Sequence, residues 1–316
     1  MPTVAVFDFL SHEFMHHPFN EAYLRLLRAA FPADRVIFHA RPGHIEQLVP
    51  RFAPADGIEF RPCPPFAVPF GLSRHHPIAG RLGARRCWNS IVAGIGRENL
   101  RLAAVLGVDA NLYAVLRRAW PGFAPAPLHM ILHNHLAAAM SWRSRNPFYR
   151  AFDFLAVLQR PLPPRVRLIA LELGIGDAIA AIAPAIAAAV ETLEHPVLVS
   201  EWAEAPAEDT APPVLRIGFL GNCSIDKGFG LFAGLAWERH GPALEFHAIG
   251  LVAADARALD LSGLIRKPSP TSVPRDEYVA ALAQTDLVCL PLSQNYQYVA
   301  SGSVIDAIAA LKPLVC

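Results

Sequence analysis

Leu215-Arg-Ile-Gly-Phe-Leu-Gly-Asn-Cys-Ser-Ile-Asp-Lys-Gly-Phe229 reads as a strand that breaks into a tight, lysine-bearing turn. Further along, Tyr298-Val-Ala-Ser-Gly-Ser-Val-Ile-Asp-Ala-Ile-Ala-Ala-Leu-Lys-Pro-Leu-Val315 sets a small polar turn at the start of an apolar helix. A helix start offers unpaired amides and the positive end of the macrodipole, and both favour an anion. A lysine from a neighbouring turn adds a compact positive charge. Two such turns on one crevice suit a diphosphate. Gly221, Asn222, Lys227, Ser301, Gly302 and Ser303 are therefore the candidate diphosphate-binding residues. Lysine is scarce in the chain, with Lys227, Lys267 and Lys312 the only three, yet one stands in the glycine turn. Asp306 can accept ribose hydroxyls, although Ser303-Val-Ile-Asp306 also has the pattern of a capping box.

Outward from these turns, strand-like apolar runs alternate with segments of helical period, which predicts an α/β fold with parallel sheets. Strands are expected near Val4–Leu10, Arg35–His39, Ile58–Arg61, Leu128–His133, Leu168–Glu172 and Pro196–Ser200. Helices are expected at Phe19–Ala30, Arg85–Leu106, Pro147–Gln159 and Ile179–Leu193. The aperiodic stretch Pro62–Pro77 reads as a long loop. Residues 204–213 are polar and proline-rich, as domain linkers are, so the expected division is 1–203, a linker at 204–213, and 214–316. After the linker the pattern restarts as a second Rossmann-like unit. Its expected strands are Leu215–Leu220, Leu244–Ile249, Leu287–Leu290 and Leu314–Cys316, and its helices Phe229–Arg239, Ala253–Leu261, Asp276–Gln284 and Gly302–Leu311.

Composition excludes several classes. At 316 residues and 53% hydrophobic, the chain can bury two cores. Its five cysteines are odd in number and form no CxxC pair, which argues against a disulfide framework or zinc knuckle and for a reducing cytoplasm. Met1–Phe14 lacks a basic n-region and contains Asp8, unlike a signal peptide. The most apolar run, Ala178–Val190, is broken by Pro184 and falls short of the roughly 20 residues that span a bilayer. The net charge of +1 hides an asymmetry: Arg61–Arg167 holds fifteen arginines against Glu98, Asp109 and Asp153. Such a zone suits an anionic partner (membrane phospholipid, a lipid-diphosphate acceptor or nucleic acid) or is simply an arginine-rich solvated face. The partners expected are a nucleotide sugar, a saccharide or lipid-linked acceptor and an anionic membrane surface, and no nucleic acid.

In order, Gly221…Lys227-Gly228, Asp286-Leu-Val-Cys-Leu-Pro291, and Tyr298…Ser301-Gly302…Asp306-Ala307…Lys312-Pro313 resemble the donor half of family 4 retaining glycosyltransferases. The resemblance covers roughly residues 214–316. It implies a GT-B fold, two Rossmann-like domains facing a cleft, with the acceptor on the first and a nucleotide diphosphate sugar on the second. Lys227 matches the family's diphosphate lysine, whereas Asn222 stands where an arginine is usual. Tyr298 and Asp306 fall on a pair of glutamates and are the implied nucleoside or ribose contacts; some branches share the Tyr…Ser-Gly version. The family often sets a first-domain histidine against the donor sugar, which makes His133 and His135 the catalytic candidates beside Lys227. The resemblance also implies that further strand and helix follow Cys316. Overall it implies a retaining hexosyltransferase acting on a polysaccharide or lipid-linked acceptor. A non-catalytic nucleotide-sugar-binding protein of the same fold is the alternative.

Three motifs are set aside. His12-Glu-Phe-Met-His16 spells the zinc-protease HExxH, which needs both histidines on one face of a long helix. Here it follows a strand and precedes Pro18, so it reads as a loop in which His16, His17 and Asn20 meet acceptor or sugar. Gly174-Ile-Gly-Asp-Ala-Ile179 is an incomplete dinucleotide fingerprint, since its sixth position is Ile. The lysine turn is no Walker loop, because Asp226 precedes Lys227. No Asp-x-Asp occurs, which fits a diphosphate neutralised by lysine and helix dipole. No metal or cofactor is expected.

Overall fold

The computed structural model describes residues 1–11, 13, 15–64, 77–95, 99–132, 144–150, 152–198, 214–238, 243–293, 296 and 298–316. The chain forms two compact units, Met1–Pro196 with Tyr298–Ala300, and Val197–Gln297 with Ser301–Cys316.

The first unit is built on a parallel sheet of seven strands. They are β1 (Thr3–Asp8), β2 (Arg35–Ala40), β3 (Ile58–Pro62), β4 (Leu100–Leu106), β5 (Leu128–Leu132), β6 (Val166–Ala170) and β7 (Val190–Thr192), in the order β3-β2-β1-β4-β5-β6-β7. Val4, Ala5, Val6 and Phe7 are all buried, as expected of a strand covered on both faces. Val4 pairs with Val36 on one side and Leu102 on the other. The order reverses between β1 and β4, so the crevice beyond the carboxyl ends of these two strands is the topological switch point. Helix α1 (His17–Ala30) leads away from that edge. Pro18 stands in its first turn, where a missing N–H costs nothing, and Phe19, Tyr23, Leu24 and Leu27 form its buried stripe. Helix α2 (Pro42–Leu48) follows β2, and α3 (Pro77–Ile95) precedes β4.

Several expected elements are corrected. The helix expected over Arg85–Leu106 ends at Ile95, and Leu100–Leu106 is strand β4. Leu102, Ala103, Ala104 and Val105 are buried in succession, and a continuous apolar run has no period to separate helix from central strand. Helix α4 (Ala110–Ala119) was not anticipated. Asp109 caps it by accepting from the Leu112 amide at 2.7 Å. The helix expected over Pro147–Gln159 is two short ones, α5 (Pro147–Arg150) and α6 (Phe154–Leu158). Asp153 between them turns its carboxylate to the Ser144 amide. Helix α7 (Leu173–Ile182) stops before Pro184, which pushes Ala183 out of helical geometry, so the expected helix to Leu193 becomes a 3-10 segment and β7. The described part of Pro196–Ser200, residues 196–198, is not strand.

The second unit carries a four-stranded parallel sheet of β8 (Leu215–Leu220), β9 (Leu244–Ile249), β10 (Leu287–Cys289) and β11 (Leu314–Val315), ordered β11-β10-β8-β9. Its helices are α8 (Phe229–Trp237), α9 (Arg275–Ala283) and α10 (Gly302–Ala309). The helix expected at Ala253–Leu261 is only a 3-10 turn at Ala254–Ala256. Phe219, Phe229, Phe232 and Phe246 interlock at centroid distances of 5.0, 5.3 and 5.5 Å and fix α8 on the sheet. Here the order reverses at β8, so the turn after Leu220 lies at this unit's switch point. Among the described residues no helix is long and apolar enough to cross a membrane.

Candidate functional site

Strand β8 ends where Gly221 takes a φ of +81°, and Gly228 at +82° opens α8. Only glycine adopts such angles freely. A Cβ at Gly221 would also press on Lys227 Nζ and on the Ser303 hydroxyl, and one at Gly228 would enter the Pro291 carbonyl. Both glycines therefore set the turn's shape. Within the turn, the Ser224 hydroxyl accepts from the Lys227 amide at 3.3 Å.

The Lys227 side chain folds back under the turn. Its Nζ donates to the Leu220 carbonyl at 2.7 Å and to Ser303 Oγ at 2.5 Å, and Ser303 Oγ donates to the same carbonyl at 3.1 Å. The structure thus joins the two turns that are 76 residues apart in sequence. Lys227 is 4% exposed, and burial pulls its ammonium from the ordinary lysine value down to about 8, against the opposing influence of Cys223 and Asp306. A buried ammonium with two protein acceptors still holds a third N–H for a ligand.

Ser301 is the N-cap of α10, but its side chain makes no capping bond. Among the described residues the amides of Gly302 and Ser303 have no protein acceptor, and nothing stands within 4 Å of where a Gly302 Cβ would be. That is an open helix start beside a buried lysine. Asn222 is exposed on the rim of the lysine turn, and its carbonyl accepts from the Ser224 amide.

Asp306 is held by partners that its sequence context did not reveal. Since α10 begins at Gly302, Ser303 lies inside the helix and no capping box forms. The Asp306 carboxylate takes the Arg275 guanidinium in a fork, at 2.8 and 3.1 Å, with both side chains mostly buried. The buried Tyr278 hydroxyl bonds with Asp306 and Ser303; burial and then the Asp306 charge drive its pKa well up. Arg275 also lies over the Tyr278 ring at 5.1 Å. Lys227, Ser303, Tyr278, Asp306 and Arg275 therefore form one connected polar network under the two turns. Sequence reading missed Arg275 and Tyr278. One signal was present: an arginine in the first turn of α9, where the helix dipole disfavours a cation, needs a compensating carboxylate.

Tyr298 belongs to the first unit, packed on that unit's core. His133 and His135 lie outside the described residues, as do His12, residues 65–76 of the expected loop and the whole expected linker, residues 204–213. The described members of the HExxH motif, Glu13, Met15 and His16, sit in the turn ahead of α1, with Glu13 and His16 at φ of 46° and 54°, so the motif is not helical. His16 is the N-cap of α1, partly exposed.

His17 and Asn20 are buried in a framework at the end of β1. Asp8 accepts from the Leu10 and Ser11 amides at 3.0 and 2.9 Å, and its second oxygen accepts from Asn20 Nδ2 at 2.7 Å. Asn20 Nδ2 also reaches His44 Nε2 at 2.8 Å, and His44 Nδ1 meets the Glu13 carbonyl at 2.7 Å. With the amide nitrogen donating, His44 Nε2 accepts and Nδ1 carries the proton. Burial lowers the His17 pKa, and its Nε2 bonds with the Gln47 carbonyl at 2.9 Å. Gly174-Ile-Gly-Asp-Ala-Ile179 lies inside α7.

No protein-family model matches the sequence, nor does any curated protein sequence at a significant level. Solved structures do match. The chain is similar to sucrose-phosphate synthase of Thermosynechococcus elongatus at a TM-score of 0.64 and 13% identity, covering 99% of this chain and 80% of that one. It is similar to Anabaena HepE in complex with UDP and glucose at 0.62 and 13%, covering 100% and 80%. Arabidopsis thaliana UGT89C1 complexed with UDP-L-rhamnose follows at 0.55 and 11%, covering 100% and 79%. The chain has the GT-B fold of these glycosyltransferase structures.

Proposed function

We propose that this protein is a glycosyltransferase that moves a hexose from a nucleotide diphosphate sugar to a polysaccharide or lipid-linked acceptor. The observation that carries this reading is Lys227 Nζ held against Ser303 at the uncapped start of α10, at the switch point of the second sheet. In transfer, the bond between the anomeric carbon and the diphosphate oxygen breaks, the oxygen of an acceptor hydroxyl forms the new bond, and the hydroxyl proton passes to the departing diphosphate or to water. The diphosphate leaves with additional negative charge. Lys227 and the Gly302 and Ser303 amides stabilise that charge, the electrostatic term that usually contributes most to such reactions. Asp306, already bound to Arg275, holds the Tyr278 hydroxyl that also bonds with Ser303 behind the lysine, and a ribose contact through its remaining lone pairs is proposed from its sequence position alone. The nucleotides named with HepE and UGT89C1 support a uridine nucleotide as the first donor to try.

The family 4 assignment and a retaining outcome are proposed from the sequence motifs alone, as are sugar or acceptor roles for His16, His133 and His135. So is work at the inner face of a membrane, where a lipid-linked acceptor resides. The test is a thermal-shift panel of nucleotide sugars followed by turnover with the stabilising donor, including slow hydrolysis to water. Stabilisation with hydrolysis supports the enzyme. Stabilisation with no turnover under any acceptor selects the non-catalytic binding protein, and no stabilisation by any nucleotide overturns both.

A further inference from the structure

One surface of the first unit is unused by this reading. The buried face of α3 includes Gly80, Ala84, Cys87, Ile91 and Ile95. Its other face presents Ile78 at 64% and Leu82 at 57% exposure, followed by exposed Arg85 and Arg86. Ile78, Leu82, Arg85 and Asn89 recur at helical spacing, so they form one stripe. Arg81 flanks that stripe, with its guanidinium 5.3 Å over the Phe152 ring. Phe152 in turn lies 5.8 Å from Phe148, which is 61% exposed on α5 between exposed Arg145 and Arg150.

The charge of this surface has one sign. Among the described residues of 77–95 and 144–160 the only acid is Asp153, which is buried against the Ser144 amide. None of Arg81, Arg85, Arg86, Arg145, Arg150 and Arg160 has a carboxylate partner among the described residues. Burial first, then the nearby charges of Arg160 and Arg85, lower the Arg81 pKa, while Asp109 opposes them. Like charges are thus gathered around protruding apolar side chains.

We propose that the α3 face with Phe148 docks this protein on a bilayer that carries anionic phospholipid. A scattered exposed leucine needs no explanation, but three large apolar side chains ringed by arginines that have no carboxylate partner among the described residues do. A polyanion in water would reward the arginines and leave Ile78, Leu82 and Phe148 wet. An interfacial bilayer region rewards both, taking apolar groups below the headgroups and arginines among them. This placement rests on the reading of a membrane-borne acceptor and is tested apart from it.

The experiment is flotation with phosphatidylcholine vesicles, with and without phosphatidylglycerol, using the full chain. Binding is expected only to the anionic vesicles and to weaken as salt rises. Arg85→Ala is expected to lower partitioning about fivefold, as for one cation near a charged surface. Leu82→Ser with Ile78→Ser is expected to lower it severalfold as well. All are exposed positions, and unchanged melting temperatures verify the fold. Failure to bind anionic vesicles overturns the proposal. So does loss in Arg85→Ala with none in the serine variant, which would show that Ile78 and Leu82 do not enter the bilayer and that charge alone holds the protein there. Nucleotide-induced thermal shifts in the same variants should stay at the wild-type value, so failure of docking and failure of the donor site are read separately.

Discussion

The ends of β8 and β1 occupy the same place in their respective sheets, and they are built for opposite ends. After β8, positive-φ glycines hold open a turn in which a lysine is buried and helix amides stay unpaired. After β1, the donors are taken up within the cluster: Asp8, Asn20, His44 and the Glu13 carbonyl close into a chain of hydrogen bonds, and only the Asn20 Oδ1 acceptor is left over in that chain. A polar cluster with unspent donors is poised for a ligand, whereas one whose donors are consumed holds a loop in place. The comparison teaches that position at a switch point is no sufficient guide to a ligand-binding role.

Substituting Lys227 puts the largest strain on this contrast. Lys227→Ala is expected to cost about 2–4 kcal/mol in kcat/KM with a nucleotide sugar, as for loss of one transition-state charge donor. Folding should hardly suffer, since the change also removes a desolvated ammonium. Steady-state kinetics beside a urea titration will separate the two; wild-type kinetics in the variant would remove Lys227 from the donor site.

The β1 framework should respond the other way round. Asn20→Ala strands Asp8 Oδ2 and His44 Nε2 in a buried place, at about 1–3 kcal/mol for each unsatisfied group. Urea unfolding should show that loss while nucleotide affinity, measured by calorimetry, stays at the wild-type value. An unchanged unfolding free energy with a weakened sugar or acceptor interaction would return Asn20 to the ligand-binding role that its sequence position suggested.

These two outcomes also mark what the sequence made legible. The lysine turn and the Ser-Gly-Ser helix start could be read because each is a short local device whose glycines and small polar residues serve no other purpose. Their meeting through Lys227 and Ser303 then follows from strand order. The Arg275–Asp306 fork was invisible because its partners are 31 residues apart on different helices, with no shared period. At β1 the letters were equally suggestive, but whether Asn20 faces a ligand or Asp8 depends on packing that no pattern encodes. In the fold, β4 was mistaken for helix for the same reason: a doubly buried strand and a buried helix are both simply apolar.

A third measurement sharpens the β8 side of the contrast through pH. Burial holds the Lys227 pKa near 8 in the free protein, and a diphosphate needs the ammonium. Donor affinity should therefore be flat at pH values below about 8 and fall above it, by up to about 1.4 kcal/mol per pH unit, as the lysine must take up a proton to bind. The decline ends at the higher pKa of the lysine in the complex. Calorimetry in buffers of different ionisation enthalpy should detect proton uptake on binding near pH 8 or above. A flat affinity profile with no proton uptake would mean that the ammonium is not what receives the phosphate.

The smallest effect belongs to a third strand end, after β6, where Glu172 stands apart from both patterns. Its φ of 145° with ψ of 148° lies in a region that essentially only glycine occupies, at the N-cap of α7. Its side chain makes no capping bond, and burial raises the pKa of its carboxyl. Neither the consumed polar chain of β1 nor the open turn of β8 describes it: a strained backbone carries a partly desolvated acid at the carboxyl edge of the first sheet. If the strain serves no purpose, glycine is the better residue, and Glu172→Gly should stabilise the first unit by about 1 kcal/mol. We expect that gain in urea unfolding, together with a fall in acceptor-dependent turnover and an unchanged nucleotide affinity. A gain in stability with full activity would show a backbone accident. A loss of stability would show that the carboxyl makes compensating contacts, and β6 would join β1 as framework.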